Sequence, residues 1–104
     1  MEKIETLAET LKALADPTRL RIVKLLGDCN NGICKGGPLC VNALANQLQI
    51  TQSAVSQHLR ILKAAGLVHG KRKGSFMHYM LNRDGIETCS EMLGDTLGAG
   101  FLAK

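Results

Sequence analysis

Two short apolar stripes separated by a three-residue turn constrain this chain more than any other feature of it. Val41, Leu44, Ala45 and Leu48 follow the i, i+3, i+4, i+7 spacing of a short amphipathic helix that ends near Gln49 and Ile50. Thr51 can cap a following helix, in which Val55, Leu59 and Leu62 face inward. Ser53, Ser56, Gln57, Arg60 and Lys63 form the opposite stripe, which is polar, basic and free of acids. An ordinary surface helix would be expected to carry some Glu or Asp. The pattern therefore predicts a helix-turn-helix over residues 41–65, the second helix being the recognition helix.

The charge distribution points the same way. Between Cys29 and Arg83 no Asp or Glu occurs, while Lys35, Arg60, Lys63, Lys71, Arg72, Lys73 and Arg83 all do. All nine acids lie outside that stretch, against the other six bases. A field of one sign suits a phosphate-binding surface, because basic groups release the counterions condensed on DNA and carboxylates would repel its backbone. Phe76, Tyr79 and Phe101 are the only aromatics, which disfavours recognition of single strands by base stacking and makes duplex DNA the better target.

The rest of the chain reads as support for this unit. Ile4, Leu7, Leu11 and Leu14 predict a first helix over residues 3–15, and Asp16-Pro17 restarts the chain into a second that runs to about Gly27. In that second helix Leu20, Ile22, Val23, Leu25 and Leu26 form a broad apolar face. Residues 28–40 read as a loop, rich in Asn and Gly and long for a connection between packed helices. Gly66 closes the recognition helix, and residues 67–81 read as a hairpin, with strands from Leu67 to Lys71 and from Phe76 to Leu81 and a turn over Arg72 to Ser75. A basic hairpin placed there can lie along the duplex as a wing. A last helix from Asp84 carries Ile86, Cys89 and Leu93 on one face. The expected DNA-contacting residues are Gln52, Ser53, Ser56, Gln57, Arg60 and Lys63 on the helix and Lys71, Arg72 and Lys73 on the wing.

Several runs in the chain carry a family resemblance. They are Leu14 to Val23, Leu39 to Ala45, Gln52 to Leu59 and Ala65 to Val68. Together they resemble the ArsR/SmtB family of winged-helix metalloregulatory repressors over roughly residues 4–93. The resemblance implies a mainly α fold with a β-hairpin wing, about five helices and two strands, and the length of 104 residues predicts that residues 1–104 form one domain. The resemblance also implies a homodimer built on helices about 3–15 and 84–97, which binds a dyad-symmetric operator and leaves it when an inducer binds. Arsenic sensors of the family often open the third helix with Cys-Val-Cys, whereas this chain has Cys40, Val41 and Asn42. Zinc sensors of the family use Asp and His pairs on the last helix, and here Asp84 is present but no His follows His78.

Four cysteines in a chain with no charged leader and no run of about 18 apolar residues fit the reducing cytoplasm, where thiols serve metal binding or redox sensing. Cys29, Cys34 and Cys40 are close enough in sequence to converge on one ion. Three thiolates suit As(III) or Sb(III), with cadmium, lead and zinc as alternatives; zinc and cadmium would want a fourth ligand from Cys89, a histidine or solvent. Cys40 lies at the start of a helix, whose positive dipole end favours the thiolate. Cys89 is a further candidate ligand but reads first as a small buried hydrophobe; His58 reads as a packed, hydrogen-bonded core residue, and His69 and His78 as structural or exposed. The expected function is a cytoplasmic, metal(loid)-responsive repressor. Two alternatives are a thiol-based redox or reactive-sulfur sensor and a constitutive DNA-binding module with a structural zinc site. An enzyme is not expected, since no cysteine has an evident base partner and no phosphate-cradling glycine motif occurs.

Overall fold

Side-chain caps mark the starts of the three middle helices in the computed structural model, which describes residues 2–30 and 39–98, with side chains in the first segment up to Asp28. α1 spans Lys3–Leu14 and α2 spans Pro17–Asn30. Between them the Asp16 carboxylate accepts the backbone N–H of Arg19 at 3.0 Å, satisfying a first-turn donor that has no partner in the helix. β1 is Leu39–Cys40, α3 is Val41–Leu48 and α4 is Gln52–Ala64. Thr51 caps α4, its hydroxyl accepting from the N–H of Ala54 at 3.0 Å. β2 is Val68–Lys73, β3 is Phe76–Leu81 and α5 is Arg83–Leu97. The result is a winged helix-turn-helix. Among the described residues, no helix is long and apolar enough to cross a membrane.

The core forms where α2, α3 and α4 meet the base of the wing. Ile22 and Leu26 of α2, Leu44 of α3, Val55, Leu59 and Leu62 of α4, and Leu67 are all buried. Leu39, Tyr79, Leu81 and Ile86 pack against this cluster from the sheet and α5. Burying each large aliphatic side chain contributes about 1.5–3 kcal/mol, so these few residues fix the orientation of α4 relative to the sheet.

The structure departs from the sequence expectations at four points. Leu20 is 51% exposed and not part of the core face of α2, because Ile22 and Leu26, one turn apart, take the buried side. α2 continues past Gly27 to Asn30, so it takes up the start of the expected loop; Gly27 lies against Leu81 of β3, and that packing carries the helix through a poor helix former. The wing strands run to Lys73 and from Phe76, leaving a two-residue turn instead of four. Gly74 has φ +60°, which suits the first position of such a turn. Finally, a third strand is present: Leu39 pairs with Tyr79 and Cys40 with His78, giving an antiparallel sheet in the order β1-β3-β2.

The corner after α4 is locked to the start of α5. Asn82 donates to the carbonyls of Gly66 and Leu67, each at 2.9 Å, through its side-chain amide and its backbone N–H respectively. A Cβ on Gly85 would run into the Gly66 carbonyl oxygen, whereas one on Gly27 would meet only Leu81 at van der Waals distance. The same substitution should therefore act in opposite directions. Gly85→Ala should lose about 1–3 kcal/mol in urea unfolding through overpacking, and Gly27→Ala should be neutral or gain up to about 1 kcal/mol.

Candidate functional site

One face of α4 stands clear of the body. Gln52, Ser53, Ser56, Gln57, Arg60 and Lys63 are all exposed, while Val55, Leu59 and Leu62 anchor the opposite face. α3 ends at Gln49, whose backbone takes the left-handed conformation at φ 59°, and the turn brings the starts of the two helices together. There the Gln52 amide donates to the Asn42 side-chain carbonyl at 3.1 Å. Asn42, at the position where the family motif has its second thiol, thus braces the turn.

Lys71, Arg72 and Lys73 are exposed along β2, with Lys71 and Lys73 on one face of the hairpin and Arg72 on the other. Among the described residues, no ion pair engages these three or Arg60 and Lys63, so their charge is directed at solvent and available to a polyanion. Phe76, 63% exposed, pairs with Lys73 at the tip.

A polar clamp holds α4 from behind, and nothing in the sequence announced it. Arg19 donates from Nε to the Ala13 carbonyl at the end of α1 and from Nη1 to His58 Nδ1 on α4 at 3.2 Å, across 39 residues of chain. A guanidinium only donates, so His58 accepts at Nδ1 and carries its ring proton on Nε2. His58 is half-buried and hydrogen-bonded, in keeping with a structural reading. The Asp16 carboxyl is held below its usual range, first by the hydrogen bond from the Arg19 N–H and then by the positive charge of Arg19 nearby.

The expected thiol site is described only at its downstream end. Cys34 and the side chain of Cys29 lie outside the described residues; the backbone of Cys29 belongs to the last turn of α2. Cys40 is half-buried and is the N-cap of α3, its Sγ accepting from the Ala43 N–H at 3.5 Å. The same residue pairs with His78, so it belongs to the recognition unit and the wing together. His78 is half-buried, and its Nδ1 is inaccessible and without a hydrogen-bond partner among the described residues. Cys89 is buried in α5, and burial pushes its thiol pKa up, which disfavours the thiolate that binds soft ions. Among the described residues no group of three His, Cys, Asp or Glu is arranged to hold a metal.

This architecture has known counterparts. The family described as bacterial regulatory protein, arsR family, matches residues 16–69. An uncharacterised helix-turn-helix transcriptional regulator of Methanocaldococcus jannaschii is 36% identical over 95 residues, covering 91% of this chain and 99% of that protein. An arsenic resistance transcriptional regulator of Pseudomonas putida is 33% identical over 99 residues, 95% of this chain and 72% of its own. Among solved structures, the homodimeric winged helix-turn-helix DNA-binding domain of a possible ArsR-family regulator from Mycobacterium bovis superposes with a TM-score of 0.68 at 27% identity, covering 93% of this chain and 81% of that one.

The clamp makes a testable claim about acid stability. A carboxylate whose folded pKa is depressed stabilises the fold above its unfolded pKa, and that contribution is lost as pH falls through the folded value. Asp16→Ala should melt at a lower temperature than wild type at pH 7. In thermal melts the gap should narrow once the pH drops below the ordinary carboxylate range.

Proposed function

Because the chain belongs to the ArsR family of bacterial regulatory proteins, and is therefore a DNA-binding transcriptional regulator and not an enzyme, we propose that it represses by holding an operator as a homodimer and lets go when a thiophilic ion binds Cys29, Cys34 and Cys40. The observation that carries this reading is the place of Cys40. It ends the cysteine-bearing segment, caps α3 and pairs with β3, so a pull on its sulfur acts on the helix-turn-helix and the wing at once.

In the DNA-bound state α4 enters the major groove, with Gln52, Ser53, Ser56, Gln57, Arg60 and Lys63 toward bases and phosphates, while Lys71, Arg72 and Lys73 hold the backbone alongside. Two such helices in a dimer address half-sites about one helical turn apart. The partner packs on α1 and α5, which lie against each other and present Ile4 and Leu97, both 53% exposed, as apolar surface. Three thiolates favour arsenite or antimonite, with cadmium, lead and zinc as other soft or borderline candidates. The buried thiol of Cys89 stays outside the donor set. Gathering the sulfurs repositions Cys40 and tilts α3 and α4 out of register with the groove. Coupling of this kind amounts to about 1–3 kcal/mol.

Fluorescence anisotropy tests the reading directly, using reduced protein and a duplex selected from a random-sequence pool. Arsenite, antimonite or cadmium should weaken binding about 5- to 150-fold, and a C29S/C34S/C40S variant should hold the duplex regardless. If all three ions leave the wild-type complex intact, ion-triggered release is wrong. Replacing Lys71, Arg72 and Lys73 with alanine should weaken binding to all sequences alike. It should also reduce the slope of log affinity against log salt by about 0.9 for each phosphate that is no longer neutralised.

A further inference from the structure

The wing ends in an aromatic ring that the fold leaves uncovered. Phe76 opens β3 and is 63% exposed, whereas the methyl end of the neighbouring Met77 folds back over Gly70, as does the Tyr79 ring. Directly opposed residues of an antiparallel ladder project their side chains to the same face of the sheet. Phe76 therefore shares a face with its partner Lys73 and with Lys71, on the side away from Tyr79 and Leu81, which pack on the core. Lys71, Arg72 and Lys73 form no ion pair among the described residues, and residues 31–38 and 99–104 contain no Asp or Glu that could pair with them. The tip thus combines an apolar ring with unneutralised positive charge. Duplex DNA offers the complement of both, with phosphates along its edges and stacked apolar base faces between them.

We propose that Phe76 is a wedge: with α4 in the major groove, the wing tip enters the adjacent minor groove and the ring presses between two base pairs, so that the protein reads how easily that step unstacks. This rests on the DNA-bound arrangement given above. The reach is adequate, since the six-pair ladder from Val68 and Leu81, at the core, to Lys73 and Phe76 spans about 17 Å at the usual rise per strand residue. Half a turn of B-DNA is also about 17 Å. The tip is slim as well, because Gly74 and Ser75 add little bulk at the turn, which suits a groove about 6 Å wide. Lys71 and Lys73, on long stems beside the ring, hold the phosphates that line the groove. Unstacking is easiest at pyrimidine–purine steps such as TA and CA, so the wedge makes affinity depend on a step that α4 does not touch. An apolar contact releases no counterions, which separates the work of Phe76 from that of the lysines in its response to salt.

The test is selection of duplexes from a random-sequence pool by the full-length wild type and by Phe76→Ala, which should melt at the wild-type temperature because the ring is exposed. Wild type should favour a pyrimidine–purine step at a fixed position outside the sequence read by α4. Phe76→Ala should lose that preference, keep the rest of the site, and bind the wild-type duplex about tenfold more weakly, with the slope of log affinity against log salt unchanged. Phe76→Leu, which keeps an apolar wedge, should retain most of both. Energy transfer between dyes at the duplex ends should report a bend of about 20–90° with wild type and a smaller one with Phe76→Ala. Equal affinity and equal step preference in wild type and Phe76→Ala overturn the inference. So does a loss of affinity that comes with a lower salt slope, which would make the ring a prop for the lysines. A shift from dimer to monomer on sedimentation of Phe76→Ala would assign the ring to a contact between copies of the chain and overturn it too. A wild-type protein that selects no duplex overturns both this inference and the DNA-bound arrangement beneath it, whereas the other outcomes leave that arrangement standing.

Discussion

The two-residue strand Leu39–Cys40 is the joint on which the molecule depends. Its pairing with β3 is short, but it fixes the start of α3 to the wing by backbone hydrogen bonds, and Leu39 adds an apolar anchor in the core. With it, any force on Cys40 reaches the reading helix and the hairpin together. The proposed release from DNA would act through this joint, since a ligand can shift an equilibrium only by interacting differently with its two states.

The recognition helix is held from two sides by different physics. Val55, Leu59 and Leu62 sink its inner face into the core and fix how it sits relative to α2 and the sheet. Arg19 then couples that helix to the end of α1 through His58 and the Ala13 carbonyl. A guanidinium shared between a carbonyl and a ring nitrogen is directional. The polar clamp therefore adds a tie to α1 to the orientation that the apolar contacts already set. Because α1 also packs on α5, the proposed dimer face and the proposed DNA face are mechanically connected through Arg19.

Charge segregation completes the design. The acids sit on α1, α5 and the ends of α2, while the surfaces of α4 and the wing carry bases with no paired carboxylate among the described residues. A surface built this way loses little when it meets phosphate, because no internal ion pair has to be broken first. The two-residue turn at Gly74 keeps the basic residues on regular strand rather than in a flexible loop, so their spacing is set by the ladder.

What the sequence determined by itself was whatever depends on near neighbours. Helical periodicity placed α1, α3 and α4, Asp16 and Thr51 marked helix starts, and Gly66 and Gly74 marked the corners, because caps and turns are decided within a few residues. The distribution of Lys and Arg identified the outward face of α4, and the family motifs pointed to the winged fold. Tertiary structure alone decided the rest. A strand of two residues has no period to detect, so the pairing of Cys40 with His78 was invisible. The bond from Arg19 to His58 and the contact of Gly85 with Gly66 join positions far apart in the chain, where residue type gives no sign of a partner. Leu20 was misplaced for the same reason: a helix apolar on a broad face does not reveal which of its sides the rest of the protein will cover.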